Sequence, residues 1–133
     1  MDIIEALQDK NLFGWLLKDP ATWGSWFTYL KALFGIPIKD EAELKLLKSC
    51  TGLAAQPVER VKESYVIAGR RSGKSFISAV IASYLAAFYD WRPYLSPGER
   101  GWIFVIANDK AQAKIIKNYI SAIFDHNQLF KRL

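Results

Sequence analysis

An α/β fold in which parallel strands alternate with helices is what the sequence predicts, and three observations predict it. Tyr65-Val66-Ile67 and Trp102 to Ala107 (WIFVIA) are short runs of β-branched, aromatic and aliphatic residues, suited to strands buried on both faces. Each is followed by a longer stretch with apolar residues at helical spacing, Phe76 to Phe88 and Ile115 to Phe124. Strand, helix, strand, helix implies a parallel sheet with right-handed crossovers. A helical segment, residues 1–62, precedes this region, residues 63–133.

The elements follow in order. Ile3, Ile4 and Leu7, then Leu12, Phe13, Trp15, Leu16 and Leu17, read as one broken helix or two short ones. Asp19-Pro20 starts a cleaner helix, with Asp19 as N-cap and Pro20 in the first helical position. Trp23, Trp26, Phe27, Leu30, Leu33 and Phe34 continue it, and Gly35 with Pro37 ends it. This aromatic stripe reads first as packing surface and second as a platform on which adenine stacks. Asp40 with Glu43 forms a capping-box variant for a helix carrying Leu44 and Leu47 and ending near Gly52. Leu53 to Lys62 reads as a loop; its Gln56 is either solvated or reads an adenine edge. Asp90 to Arg100, with two prolines and a glycine, is a connection. Asn108 or Asp109 caps the last helix, whose Lys110, Lys114 and Lys117 lie largely outside its apolar face.

The chemistry gathers at Ala68 to Ser75, AGRRSGKS, between the first strand and its helix. A phosphate loop has Gly, four residues, then Gly-Lys-Ser/Thr; here Ala68 stands in the first Gly position, and Gly69 is one residue short of it. Binding in such a loop rests on main-chain N–H groups curling round phosphates at a helix N-terminus. All eight residues, Ala68, Gly69, Arg70, Arg71, Ser72, Gly73, Lys74 and Ser75, are therefore candidate ATP contacts. Gly73 lets the backbone approach closely. Lys74 reaches the β and γ phosphates, and the Ser75 hydroxyl ligates Mg²⁺. The sequence thus predicts a partial P-loop NTPase fold of RecA-like (ASCE) type, with ATP and Mg²⁺ as cofactors.

Hydrolysis needs a second acid at a strand end. Asp90 and Asp125 end helical sequences; Asp109 ends a strand, 35 residues beyond Lys74, but is also a good helix cap. Only 59 residues follow Lys74, so the chain reads as the front part of an incomplete domain, inactive alone in hydrolysis.

Composition bounds the rest. The 133 residues, 51% apolar, make one domain's length with a sizeable core. A net charge of +5 fits a polyanionic partner and equally an ordinary solvated surface. The single Cys50 allows no internal disulfide, and the single His126, near a helix end, reads as a surface residue. No membrane span is long enough and no signal peptide is evident, so an intracellular, soluble protein is expected.

DPATWGSWFTYLKALFGIPI, the Cys50-Thr51-Gly52 step, VIAGRRSGKSFISAVIASYLAAF and PGERGWIFVIANDKAQAK together resemble the N-terminal part of phage large terminase subunits, over roughly Asp19 to Phe124. The resemblance implies a DNA-packaging motor ATPase in the cytoplasm of a bacterial host. It implies double-stranded DNA, a small terminase subunit and the portal of a procapsid as partners, and a homo-oligomer when full length. It also implies that Arg70, four residues before Lys74, joins Lys74 as a catalytic residue by sensing or stabilising the γ phosphate. Arg71 has no such assigned role. A strand-terminal Asp-Glu pair and a C-terminal nuclease, which the family carries, are not in this sequence. Two other readings stand beside this one: a different P-loop ATPase or kinase using Asp109 as its metal acid, and a non-catalytic piece that binds nucleotide or DNA.

Overall fold

The computed structural model describes residues 1–127 and residue 130, and it divides into two compact units, Met1–Ile67 and Ala68–Leu133. The elements are α1 (Ile3–Gln8), α2 (Gly24–Phe34), α3 (Glu41–Thr51), α4 (Lys74–Phe88) and α5 (Lys110–His126), with 3-10 turns at Gly14–Leu16 and Pro20–Trp23.

Side-chain caps start most of these helices. Asp2 closes a capping box on α1: its Oδ1 accepts from the N–H groups of Ile4 and Glu5 at 2.8 and 2.9 Å, and its own N–H donates to Glu5 Oε2 at 2.8 Å. Asp19 accepts from the Ala21 N–H at 3.2 Å and opens the Pro20 turn that leads into α2. Asp40 caps α3 through the Ala42 N–H at 2.8 Å. The expected partner in that box does something else. Glu43 turns away and takes both carboxylate oxygens to Lys31 Nζ, at 2.8 and 2.6 Å, so that a half-sheltered ion pair ties α3 to α2.

In the first unit the buried residues include Ile3, Leu7, Phe13 and Leu30. Ala32, Ile38 and Leu47, with Leu44 beside them, fill the junction of α2 and α3. Both long helices here stop at a glycine in the left-handed region, Gly35 at φ 67° and Gly52 at φ 69°. The chain then returns past the end of α2: the Val61 N–H donates to Leu33 O at 2.8 Å. Gln56 locks the return. Its Oε1 accepts from the Ile38 N–H at 2.7 Å, and its Nε2 donates to Ile36 O at 3.3 Å. That amide is a structural clamp, neither solvated nor directed at a base.

The second unit is built on α4 against α5. Ile77, Ala79, Val80, Ala82 and Tyr84 of α4 and Ile123 of α5 are buried, and Phe76 meets Tyr119 edge to face with ring centroids 5.5 Å apart.

The parallel-strand α/β architecture expected from the sequence, and with it the partial RecA-like P-loop NTPase fold, is overturned: the regular structure of the described residues is helical and contains no strand. Tyr65, Val66 and Ile67 are 90, 44 and 103% exposed. Trp102, Ile103, Phe104 and Ile106 are likewise exposed, in a segment with no helix, turn or bend. The reason is physical. A helix satisfies its own main chain locally, whereas a strand exists only through a neighbour, and neither run forms a ladder among the described residues. Their apolar composition specifies burial; it does not supply a partner. No helix among the described residues is long and apolar enough to cross a membrane.

Candidate phosphate site

Residues Ala68 to Gly73 form a non-helical loop that enters α4 at Lys74. Two residues in it have left-handed backbones, Arg71 at φ 62° and Gly73 at φ 86°; Ser72 between them does not. Alternating handedness in successive residues turns neighbouring N–H groups toward one side, which makes an anion-binding concavity. Glycine takes such a conformation freely. Arg71 takes it at a cost of about 1–2 kcal/mol, so the rest of the loop over-determines this backbone.

The start of α4 differs from those of α1, α3 and α5. An aspartate caps each of those three, whereas Gly73 leads α4 and provides no side-chain cap. The N–H groups there, with the positive end of the helix dipole, suit an anion. Lys74 is the first helical residue, and its Nζ folds back to donate to Gly69 O at 3.2 Å. Ser75 follows it in the first turn, half-buried. Arg70 and Arg71 are exposed, and neither guanidinium takes part in an ion pair or hydrogen bond among the described residues. Pairing with local acids, the bland account of two adjacent arginines, is therefore not what occupies them. Three cations in five residues face solvent with no carboxylate in the loop.

The structure thus brings Ala68 to Ser75 together as one loop and helix start, and it places the other candidates elsewhere. Asp109 is a helix cap, its Oδ1 accepting from the Gln112 N–H at 2.8 Å. Asp125 lies within α5, and His126 is its exposed last residue. Trp26 packs edge to face on Tyr29, with centroids 5.6 Å apart, within the first unit. No group of three or more His, Cys, Asp or Glu among the described residues is arranged to hold a metal. Toward Mg²⁺ the loop offers the Ser75 hydroxyl and no carboxylate, a donor set that fits a cation carried mainly by a nucleotide's own phosphates.

Asp90 ends as a local partner for Arg92 rather than as a metal acid. Arg92 Nε and Nη2 each donate to one carboxylate oxygen at 2.8 Å, and the Arg92 N–H adds a bond at 3.1 Å. These hydrogen bonds pull the Asp90 pKa down to about 2. A depressed carboxyl favours the folded loop above its ordinary range near 3.8 and loses that contribution as pH falls toward 2. Asp90 is expected to titrate near pH 2 by carboxyl-detected NMR, and Arg92→Ala to raise it part of the way toward 3.8, since the main-chain N–H at residue 92 still donates to it. An unshifted Asp90 in the wild type would show the fork to be absent in solution.

Comparison with protein-family models, curated proteins and solved structures finds no match.

Proposed function

We propose that Ala68 to Ser75 binds the phosphates of MgATP, and that the chain is the nucleotide-binding front of a DNA-packaging ATPase of the large terminase type. The observation that carries the phosphate reading is the backbone: left-handed residues at 71 and 73 lead directly into an uncapped helix that begins Lys74-Ser75. In this reading Lys74 swings from the Gly69 carbonyl to the β and γ phosphates, and Ser75 contributes its hydroxyl to Mg²⁺. Arg70 and Arg71, whose guanidinium groups are unpaired among the described residues, supply further charge, with Arg70 placed at the γ phosphate by the resemblance. The motor assignment rests on that resemblance. It brings double-stranded DNA, the small subunit and a procapsid portal as partners, a homo-oligomeric working form, and the bacterial cytoplasm as the place of work.

A kinase or other ATPase that uses Asp109 as its metal acid is disfavoured, because the Gln112 N–H already holds that carboxylate. Binding of nucleotide without turnover is the expected behaviour of these 133 residues, since no Asp-Glu pair follows Lys74 in this sequence. The test is calorimetric titration of the chain with MgATP, alongside amide shifts of residues 69–75. Saturable binding with shifts centred on those residues is expected. Absence of heat and of shifts at millimolar nucleotide sinks the reading.

A further inference from the structure

The second unit carries a groove of about 440 Å³ that the phosphate reading does not use. Its apolar lining is Ile103, Val105, Ala113 and Ile120, and its charged lining is Lys110, Lys114 and Lys117. We propose that this groove takes an acidic peptide of another protein chain, alternating carboxylate and aliphatic residues and laid beside Trp102 to Ala107 as an added strand.

Three features of the groove select that occupant. The three lysines recur at helical spacing along one side of α5, a stripe about 10 Å long at 1.5 Å per residue. Same-face residues of an extended peptide repeat about every 7 Å, so two or three carboxylates fall within reach of flexible lysine stems along that length. None of the three ammonium groups takes part in an ion pair or hydrogen bond among the described residues. The main chain from Trp102 to Ala107 is equally unengaged: it runs without turn or bend and makes no hydrogen bond among the described residues. An edge of this kind is a template for strand addition, in which main-chain bonds supply affinity and alternate side chains supply selectivity.

Other occupants fit less well. A nucleic acid would satisfy the lysines but leave Ile103 and Val105 in water, and the exposed rings Trp102 and Phe104, which could stack on bases, do not line the groove. A second copy of this chain brings the same net charge of +5 to a basic rim. The aliphatic floor and cationic rim together ask for a ligand that is both apolar and anionic.

The experiment uses the whole chain and a fluorescein-labelled, acetylated heptapeptide of alternating Glu and Val, read by anisotropy and by amide shifts. Binding is expected with shifts at residues 102–107 and along α5. The double variant K114E/K117E, which changes only exposed side chains and is checked for helix content, should weaken it at least about tenfold and admit the Lys-Val heptapeptide instead. A Glu-Ser heptapeptide, which keeps the charge and loses the aliphatic groups, should bind about tenfold more weakly. Equal affinity for Glu-Ser or Ser-Val peptides, absence of shifts at residues 102–107, or displacement of the peptide by a DNA duplex that binds more tightly overturns the proposal. Lys74→Ala should leave peptide binding unchanged, so failure at the phosphate loop and failure at this groove are separable.

Discussion

Gly35→Ala is expected to cost the first unit about 3 kcal/mol or more, enough to leave a marginally stable domain largely unfolded at room temperature. Two terms add. The residue sits at φ 67°, where a side chain brings about 1–2 kcal/mol of strain. A Cβ there would also lie 2.6 Å from the carbonyl carbon of Glu59 and 2.8 Å from its Cα. Those are main-chain atoms, and they cannot swing aside as a side chain does. The segment around Glu59 is held on both sides, by Gln56 on Ile36 and Ile38 and by Val61 on Leu33, so relief of the clash breaks those bonds as well. Gly52→Ala is the internal control. Its φ of 69° carries the same strain, but a Cβ there meets nothing within 4 Å, so a loss near 1 kcal/mol is expected. Urea unfolding followed by tryptophan fluorescence measures both, since every tryptophan but two lies before Gly35. Equal losses in the two variants would show that the return of the chain over Gly35 is not as described.

The same comparison marks what the sequence disclosed. Chain ends of helices are local events, set by residues two or three apart, and most are readable: Asp40, Gly35, Gly52 and Asp109 do what their types and places predict, whereas Asp19 caps only the 3-10 turn Pro20–Trp23 and α2 itself starts at Gly24, behind Trp23, with no side-chain cap. The spacing makes Glu43 a local capping partner, and a lysine twelve residues away claims it instead. Sequence alone leaves Gln56 solvated or base-reading, and contacts 18 and 20 residues back in the chain give it a third role. The strands failed for the most general version of this reason. Tyr65 to Ile67 and Trp102 to Ala107 have strand composition, but pairing is a property of two segments and is not written in either one. At the loop, Gly73 announces its left-handed backbone, while Arg71 hides one behind a side chain that rarely takes it.

Lys74→Ala separates binding from folding more cleanly than any other single change in the loop. The lysine is exposed and its side-chain hydrogen bond, to Gly69 O at 3.2 Å, lies at the surface, so its loss should move stability by no more than about 0.5 kcal/mol. Alanine is also the best helix former at the first position of α4. Affinity should respond very differently. A charge-assisted bond to phosphate contributes about 1.5–3 kcal/mol, which corresponds to roughly ten- to hundredfold in dissociation constant. That loss should scale with the ligand, being largest for MgATP, smaller for MgADP and absent for adenosine, because the ammonium meets only the outer phosphates. Raising the salt concentration should shrink the wild-type advantage, since the charge is solvent-facing. Thermal unfolding with and without each nucleotide reads both quantities at once: the two apo proteins should melt together, and only the wild type should be strongly raised by MgATP. If the variant binds all three ligands as the wild type does, the anion seat is not at Lys74, and the uncapped start of α4 is only a helix end facing water.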